Sequence, residues 1–183
     1  MKYSLIFIII VMCFSSCKNE VLPKPKAMLR LDFEESNYSR YATKDFDFEK
    51  NDKATVTLDN GSSMTLDYPA MKGSIYITHK RVNANLERLL TDAQKLSYEH
   101  VVKADNISEQ PFLNEDDNVY GMFYEVAGNA ASQSQFYATD SLHHFVTGSL
   151  YFYAKPNYDS IYPAAIYLQK DIRRIMESLQ WKN

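Results

Sequence analysis

Residues 119–153 read VYGMFYEVAGNAASQSQFYATDSLHHFVTGSLYFY. Apolar and aromatic residues crowd into three runs there, and the breaks between them, AGNAAS (127–132) and ATDSL (138–142), consist of small and turn-forming residues. Aromatic and β-branched side chains suit a pleated, half-buried surface, so the stretch predicts a three-stranded β-meander. A sheet this rich in Tyr and Phe has a buried face that other elements must cover.

Downstream, AKPNYDS (154–160) predicts a loop, after which Asp159 or Ser160 can cap a helix with Pro163 in its first turn, where a missing N–H costs little. Ile161, Ala164, Ala165, Leu168, Ile172, Ile175, Met176 and Leu179 keep a 3.6-residue period, with Lys170, Arg173, Arg174 and Glu177 on the other face. That apolar side is expected to be core. Upstream, Leu86, Leu89, Leu90, Ala93 and Leu96 predict a second amphipathic helix from Asn83 to about His100, capped by Asn83, with its stripe on one face of the sheet. VVKADNISEQPFL (101–113) reads as a strand leaving into a loop, with Pro111 and the acidic Glu115, Asp116 and Asp117 at an exposed bend.

Further upstream, ATVTLD (54–59) and SMTLDY (63–68) alternate and are joined through Asn60-Gly61, a dipeptide favoured where a type I′ turn needs two positive φ values. This predicts a β-hairpin. Pro69–Gly73 is a connector and SIYIT (74–78) another strand. MLRLDF (28–33) reads as a first strand at an edge. EESNYSRYATKDFDFEKND (34–52) shows no period and predicts a surface loop, whose Tyr38, Tyr41, Phe46 and Phe48 either pack down on the sheet or stay exposed. Two helices and about seven strands, mostly linked by hairpins, predict an α+β fold in which both helices pack on a mostly antiparallel sheet. At the level of fold alone, this is similar to the Mog1/PsbP-like sandwich.

The N-terminus carries a targeting signal. Lys2 is followed by the apolar run LIFIIIVM, and Phe14, Ser15 and Ser16 lead into Cys17. The run is too short to span a hydrocarbon core of roughly 30 Å, and KNE ends it. Small residues before a cysteine resemble the lipobox of bacterial lipoproteins, in which the thiol takes a diacylglyceryl group and the cleaved cysteine is N-acylated, with palmitate among the acyl groups. Phe14 departs from the leucine typical of that motif, and bulky Met12 makes Cys13 a poor rival. The alternative is an ordinary cleaved signal with a free cysteine. The expected organisation is a lipoprotein signal peptide at 1–16, a lipidated N-terminus and proline-containing tether at 17–27, and a single α+β domain at 28–183. With Cys13 cleaved away and Cys17 alkylated, no thiol remains for disulfide, catalytic or metal chemistry.

Little else points to chemistry. A net charge of −3 offers no basic stripe, so no nucleic-acid partner is expected. His79, His100, His143 and His144 include no pair at the helical spacing of a zinc hydrolase, and no metal or cofactor is expected. The acidic run at 115–117 reads as a solvated turn, lacking the alternating oxygen ligands of a calcium loop. Asp140, Ser141 and His144 contain the residue types of a hydrolytic triad but lie almost adjacent in one turn, whereas triad members normally converge from distant segments. No catalytic residue is assigned and an enzyme is not expected. Two other classes stay open: an envelope hydrolase with a convergent pocket, and a carrier with a deep apolar cavity for a small ligand or lipid.

The order of motifs carries a family resemblance. Cys17, then VLPKPKAMLRLDF, LDYPAMKGSIYIT, NLERLLTDAQKLSYEH, VYGMFYEVAGNAASQSQFYATDS and GSLYFYAKPNYDS resemble, over nearly the whole mature chain, the gliding-motility lipoprotein GldD family of Bacteroidetes. The resemblance implies an envelope protein required for gliding motility and for the type IX secretion system, with no catalytic residues to carry over. It implies a membrane contact through lipid on Cys17, most readily in the outer membrane facing the periplasm, with the inner membrane as the alternative. It further implies other gliding and secretion proteins as partners of a non-catalytic assembly or stabilising subunit. The GNAAS turn and the AKPNYDS loop are candidate contact points, since surface loops carry much of binding.

Overall fold

The meander forms where the aromatic runs place it, at the centre of a larger sheet. The computed structural model describes residues 33–59, 62–99, 103–153 and 157–182. The signal segment 1–16, Cys17 with the tether 17–27, the strand expected at 28–33 apart from Phe33, the Asn60-Gly61 turn and His100 lie outside them. Strands β1 (Tyr38–Ala42), β2 (Phe46–Asn51), β3 (Thr55–Asp59), β4 (Ser63–Tyr68) and β5 (Gly73–Arg81) precede helix α1 (Leu86–Tyr98). There follow β6 (Ala104–Asn114), β7 (Val119–Gly128), β8 (Ser132–Thr139), β9 (His144–Phe152), helix α2 (Tyr158–Glu177) and β10 (Gln180–Trp181). A seven-stranded sheet runs in the order β3-β4-β5-β9-β8-β7-β6, and a three-stranded sheet in the order β1-β2-β10. All pairings are antiparallel, which makes this the α+β architecture expected.

Alternation along the strands decides the faces. Phe123, Phe136, Ile75, Ile77 and Leu66 face α2 and meet its Leu168, Ile172 and Ile175 in one buried cluster. Each such side chain contributes about 1.5–3 kcal/mol through burial. Gly148 makes room for this core: a Cβ there would lie 2.1 Å from the Phe136 ring. Gln135 points to the opposite face, where it accepts a hydrogen bond from the Ser97 hydroxyl of α1. The two helices thus lie on opposite faces.

Several expectations are corrected. The stretch 34–52 is not a surface loop: it folds into β1 and β2. From Phe46 it alternates, with Phe46 and Phe48 in the core and Asp47 and Glu49 paired to Lys182 and Arg174. Pro111 lies within β6, tolerated because β6 is an edge strand. The strand count exceeds the expected seven because of β1, β2 and the short β10. Helix α1 begins at Leu86 and not Asn83; Asn85 occupies the cap, and its side-chain oxygen accepts the Asn83 N–H. Its stripe covers less than expected, since Leu89 is buried but Leu96 is 38% exposed. Helix α2 begins two residues before Ser160, so Asp159 and Ser160 fall inside the first turn and Pro163 beyond it. The N–H of Tyr158 is satisfied from the meander itself, by the Asn129 side-chain oxygen at 2.9 Å.

A buried acid ties the small sheet to α2. Asp171, 1% exposed, accepts hydrogen bonds from the hydroxyl of Tyr38 (2.6 Å), the hydroxyl of Ser36 (3.2 Å) and the amide of Asn51 (2.8 Å). Burial pushes its carboxyl above the usual range against the pull of those donors. Burial and the Asp171 carboxylate push the Tyr38 phenol up to about 12.

Candidate functional site

Turns gather at the end of the molecule where the two sheets meet. Ile75, Ile77 and His79 share one face of β5, and His144 shares the corresponding face of β9, so both imidazoles point under the small sheet. Each is 8% exposed. Nε2 of His79 lies 3.1 Å from Nδ1 of His144, and Nδ1 of His79 lies 3.7 Å from an Asp45 carboxylate oxygen. Trp181 stacks on His144 with ring centroids 5.2 Å apart and planes 7° from parallel, and its indole N–H donates to the Asn118 carbonyl at 3.0 Å. Burial lowers the His79 pKa below its ordinary value, with the Asp45 charge opposing.

Two clefts flank this core. One, of about 410 Å³, is lined by Lys44, Asp45, Arg81, His143, His144 and Lys182. Asp45 is engaged by Arg81 at 3.2 Å and Lys182 by Asp47 at 2.6 Å, and Lys44 adds a third cation to the wall. The other, of about 590 Å³, carries Asp116, Asp117 and Asp140 beside Trp181 and Leu142. His143 borders both, and Leu142, in the wall of the second, is 69% exposed. This end of the molecule thus presents one cleft with cations in its wall, one with three acids, and an exposed leucine in the wall of the second.

The structure brings Asp140, Ser141 and His144 to this end but gives them separate tasks. One Asp140 oxygen accepts the backbone N–H groups of Leu142, His143 and His144 at 3.0, 2.8 and 2.8 Å. Burial raises this carboxyl, but those donors outweigh it and hold the pKa below the usual range. Ser141 stands at φ 66 in the turn, its N–H bonded to the Thr139 hydroxyl, while the His144 ring is taken by His79 and Trp181. The acidic run 115–117 forms the β6–β7 turn, where Asn114 and Asp117 bond each other. Among the described residues, no group of three or more His, Cys, Asp or Glu side chains is placed to hold a metal ion. The GNAAS turn and the AKPNYDS segment meet at the opposite end through the Asn129–Tyr158 bond; residues 154–156 lie outside the described set.

Asp45, His79 and Trp181 were not singled out from sequence. A signal for His79 was present, since it continues the Ile75–Ile77 alternation onto the buried face; the approach of Asp45 and Trp181 from both ends of the chain had none.

Fold and site together define an α+β domain with a charged rim. The family model of the gliding motility lipoprotein GldD matches residues 18–181 of the 183. The chain belongs to the GldD family. No match is found among curated proteins. Membership makes it a lipid-anchored lipoprotein of the cell envelope with a role in gliding motility.

Proposed function

We propose that the protein is a non-catalytic assembly subunit for gliding and for type IX secretion, anchored by acylated Cys17 in the outer membrane and facing the periplasm. The neighbouring clefts, one with cations and one with acids in its wall, and exposed Leu142 beside the acidic one carry this reading, because they match a protein partner's surface better than a small substrate. The family match opens at residue 18, directly after the proposed lipid site. About ten tether residues at roughly 3.1 Å each hold the domain within about 30 Å of its membrane, and several acyl chains hold more firmly than one.

Feeding cells a clickable palmitate analogue tests the anchor. The wild-type chain is expected to take the label and to fractionate with the outer membrane, while Cys17→Ala takes none, leaves the membrane and fails to support gliding and secretion. Label persisting in Cys17→Ala, or full gliding and secretion without the anchor, would overturn the assignment.

A further inference from the structure

The first described residues run alongside α2 and in its direction. Phe33 packs on Tyr167 with ring centroids 5.3 Å apart, the hydroxyls of Ser36 and Tyr38 donate to Asp171, and the Arg40 guanidinium donates to the Ser178 carbonyl at 3.3 Å. Partners that climb from 167 through 171 to 178 as the chain goes from 33 to 40 fix the polarity of entry. The polypeptide comes from the end where α2 begins and heads for the rim, which Trp181 and Lys182 join just after α2 finishes. The sixteen residues 17–32 lead from the proposed lipid site to Phe33. The shortest path from a membrane held through Cys17 therefore meets the end where α2 begins, with the charged rim on the far side.

The surface of that end suits a bilayer. The turn between β4 and β5, residues 69–72, meets the end of β9 there, since the Tyr153 N–H donates to the Lys72 carbonyl at 2.8 Å. Pro69 and Ala70 are exposed, Met71 is half-buried, and Tyr153 is 63% exposed. The Tyr153 hydroxyl donates to an Asp67 carboxylate oxygen at 2.8 Å, so the ring is held in place while most of it stays in solvent. Helix α2 lies close by: a Cβ on Gly73, the residue after that turn, would be 2.7 Å from a Leu168 methyl and 3.1 Å from the Phe152 ring. Tyr158, Ile161 and Tyr162, in the first turns of α2, are half-buried and add apolar surface. A tyrosine has an apolar body and a polar tip, the combination that settles at headgroup depth. Lys72 is the one cation of the β4–β5 turn, and Asp159 stands in the first turn of α2, so attraction to anionic headgroups contributes little. A patch this small suffices because the anchor turns its contact with the bilayer into an intramolecular one.

We infer that the end built from the β4–β5 turn, Tyr153 and the start of α2 rests on the interface of the bilayer that holds the chain, and so presents the charged rim outward to partners. The inference rests on the anchor proposed above.

The test uses the acylated full chain reconstituted into phosphatidylcholine vesicles. Acylated Cys17 offers no thiol and Cys13 leaves with the signal segment, so one introduced cysteine carries an environment-sensitive fluorophore. Ala70→Cys places it at the proposed seat and Leu142→Cys at the rim, both exposed positions, and Trp181 emission before labelling checks that each variant is folded. The label at 70 is expected to shift to shorter wavelength on reconstitution. It is also expected to lose at least about half its emission to nitroxide-bearing lipids, since interfacial side chains lie within about 5–10 Å of the acyl boundary. The label at 142 is expected to keep its wavelength and its intensity. A chain that fails to float with the vesicles overturns the anchor and this orientation together. A chain that floats with two labels responding alike, or with the label at 142 the more quenched, overturns the orientation and leaves the anchor standing.

Discussion

Asp171 shows what one buried side chain does for the small sheet. Its carboxylate gathers Tyr38, Ser36 and Asn51, and truncation leaves those donors unpaired in the interior. Asp171→Ala is expected to lower unfolding free energy in urea by about 3 kcal/mol, and Asp171→Asn by less, since it keeps an acceptor. His79 supplies a pH dependence. Its folded pKa lies below the ordinary value of 6.5, so the unfolded chain binds a proton that the folded one refuses. The stability it contributes is complete above that ordinary value and is lost as pH falls through the folded one. Melting temperature is therefore expected to drop between about pH 7.5 and about pH 5.5 more in the wild type than in His79→Gln. Trp181, the only tryptophan, stacks on the neighbouring His144, so its emission should move over the same window. Equal pH slopes for both chains would remove His79 from this account. Neither Asp171 nor His79 was assigned a role from sequence, because partners this distant along the chain leave no local pattern.

At the scale of elements, period and turn chemistry were legible wherever one face is buried. The meander, the β3–β4 pairing and the apolar side of α2 follow from alternation and from 3.6-residue spacing. The region 34–52 misled because charges fill the outward positions of β2, so the period of two survives only in Phe46 and Phe48. Helix starts shifted because capping residues compete: Asn83 and Asn85 both fit a cap, and the helix starts after Asn85, whose side chain accepts the Asn83 N–H. Pro111 was read as a break, yet an edge strand needs no N–H on its outer side. Helix α1 also shows how far spacing overstates burial. Leu89→Ala is expected to cost about 2–5 kcal/mol, whereas Leu96→Ala, at an exposed position, should stay within about 0.5 kcal/mol in the same denaturation assay.

The whole molecule has two ends with different characters. One carries the charged clefts around His143, Leu142 and Trp181, and the other carries exposed Tyr153 and the start of α2. The family and the general fold class were legible in the order of motifs along the chain; the rim was not, since three separate turns, the end of β5 and the C-terminal strand assemble it. If the rim docks a partner, Lys44→Glu combined with Leu142→Asp should weaken that contact while the wavelength of Trp181 emission stays native, which separates lost docking from lost folding. The most direct measurement of the central claim is affinity purification of the tagged protein in mild detergent from a gliding bacterium, beside the same preparation from a Cys17→Ala strain. Gliding or secretion proteins are expected to co-purify with the wild type and to be reduced or lost with Cys17→Ala. A wild-type protein that comes alone even after cross-linking would contradict an anchored assembly subunit.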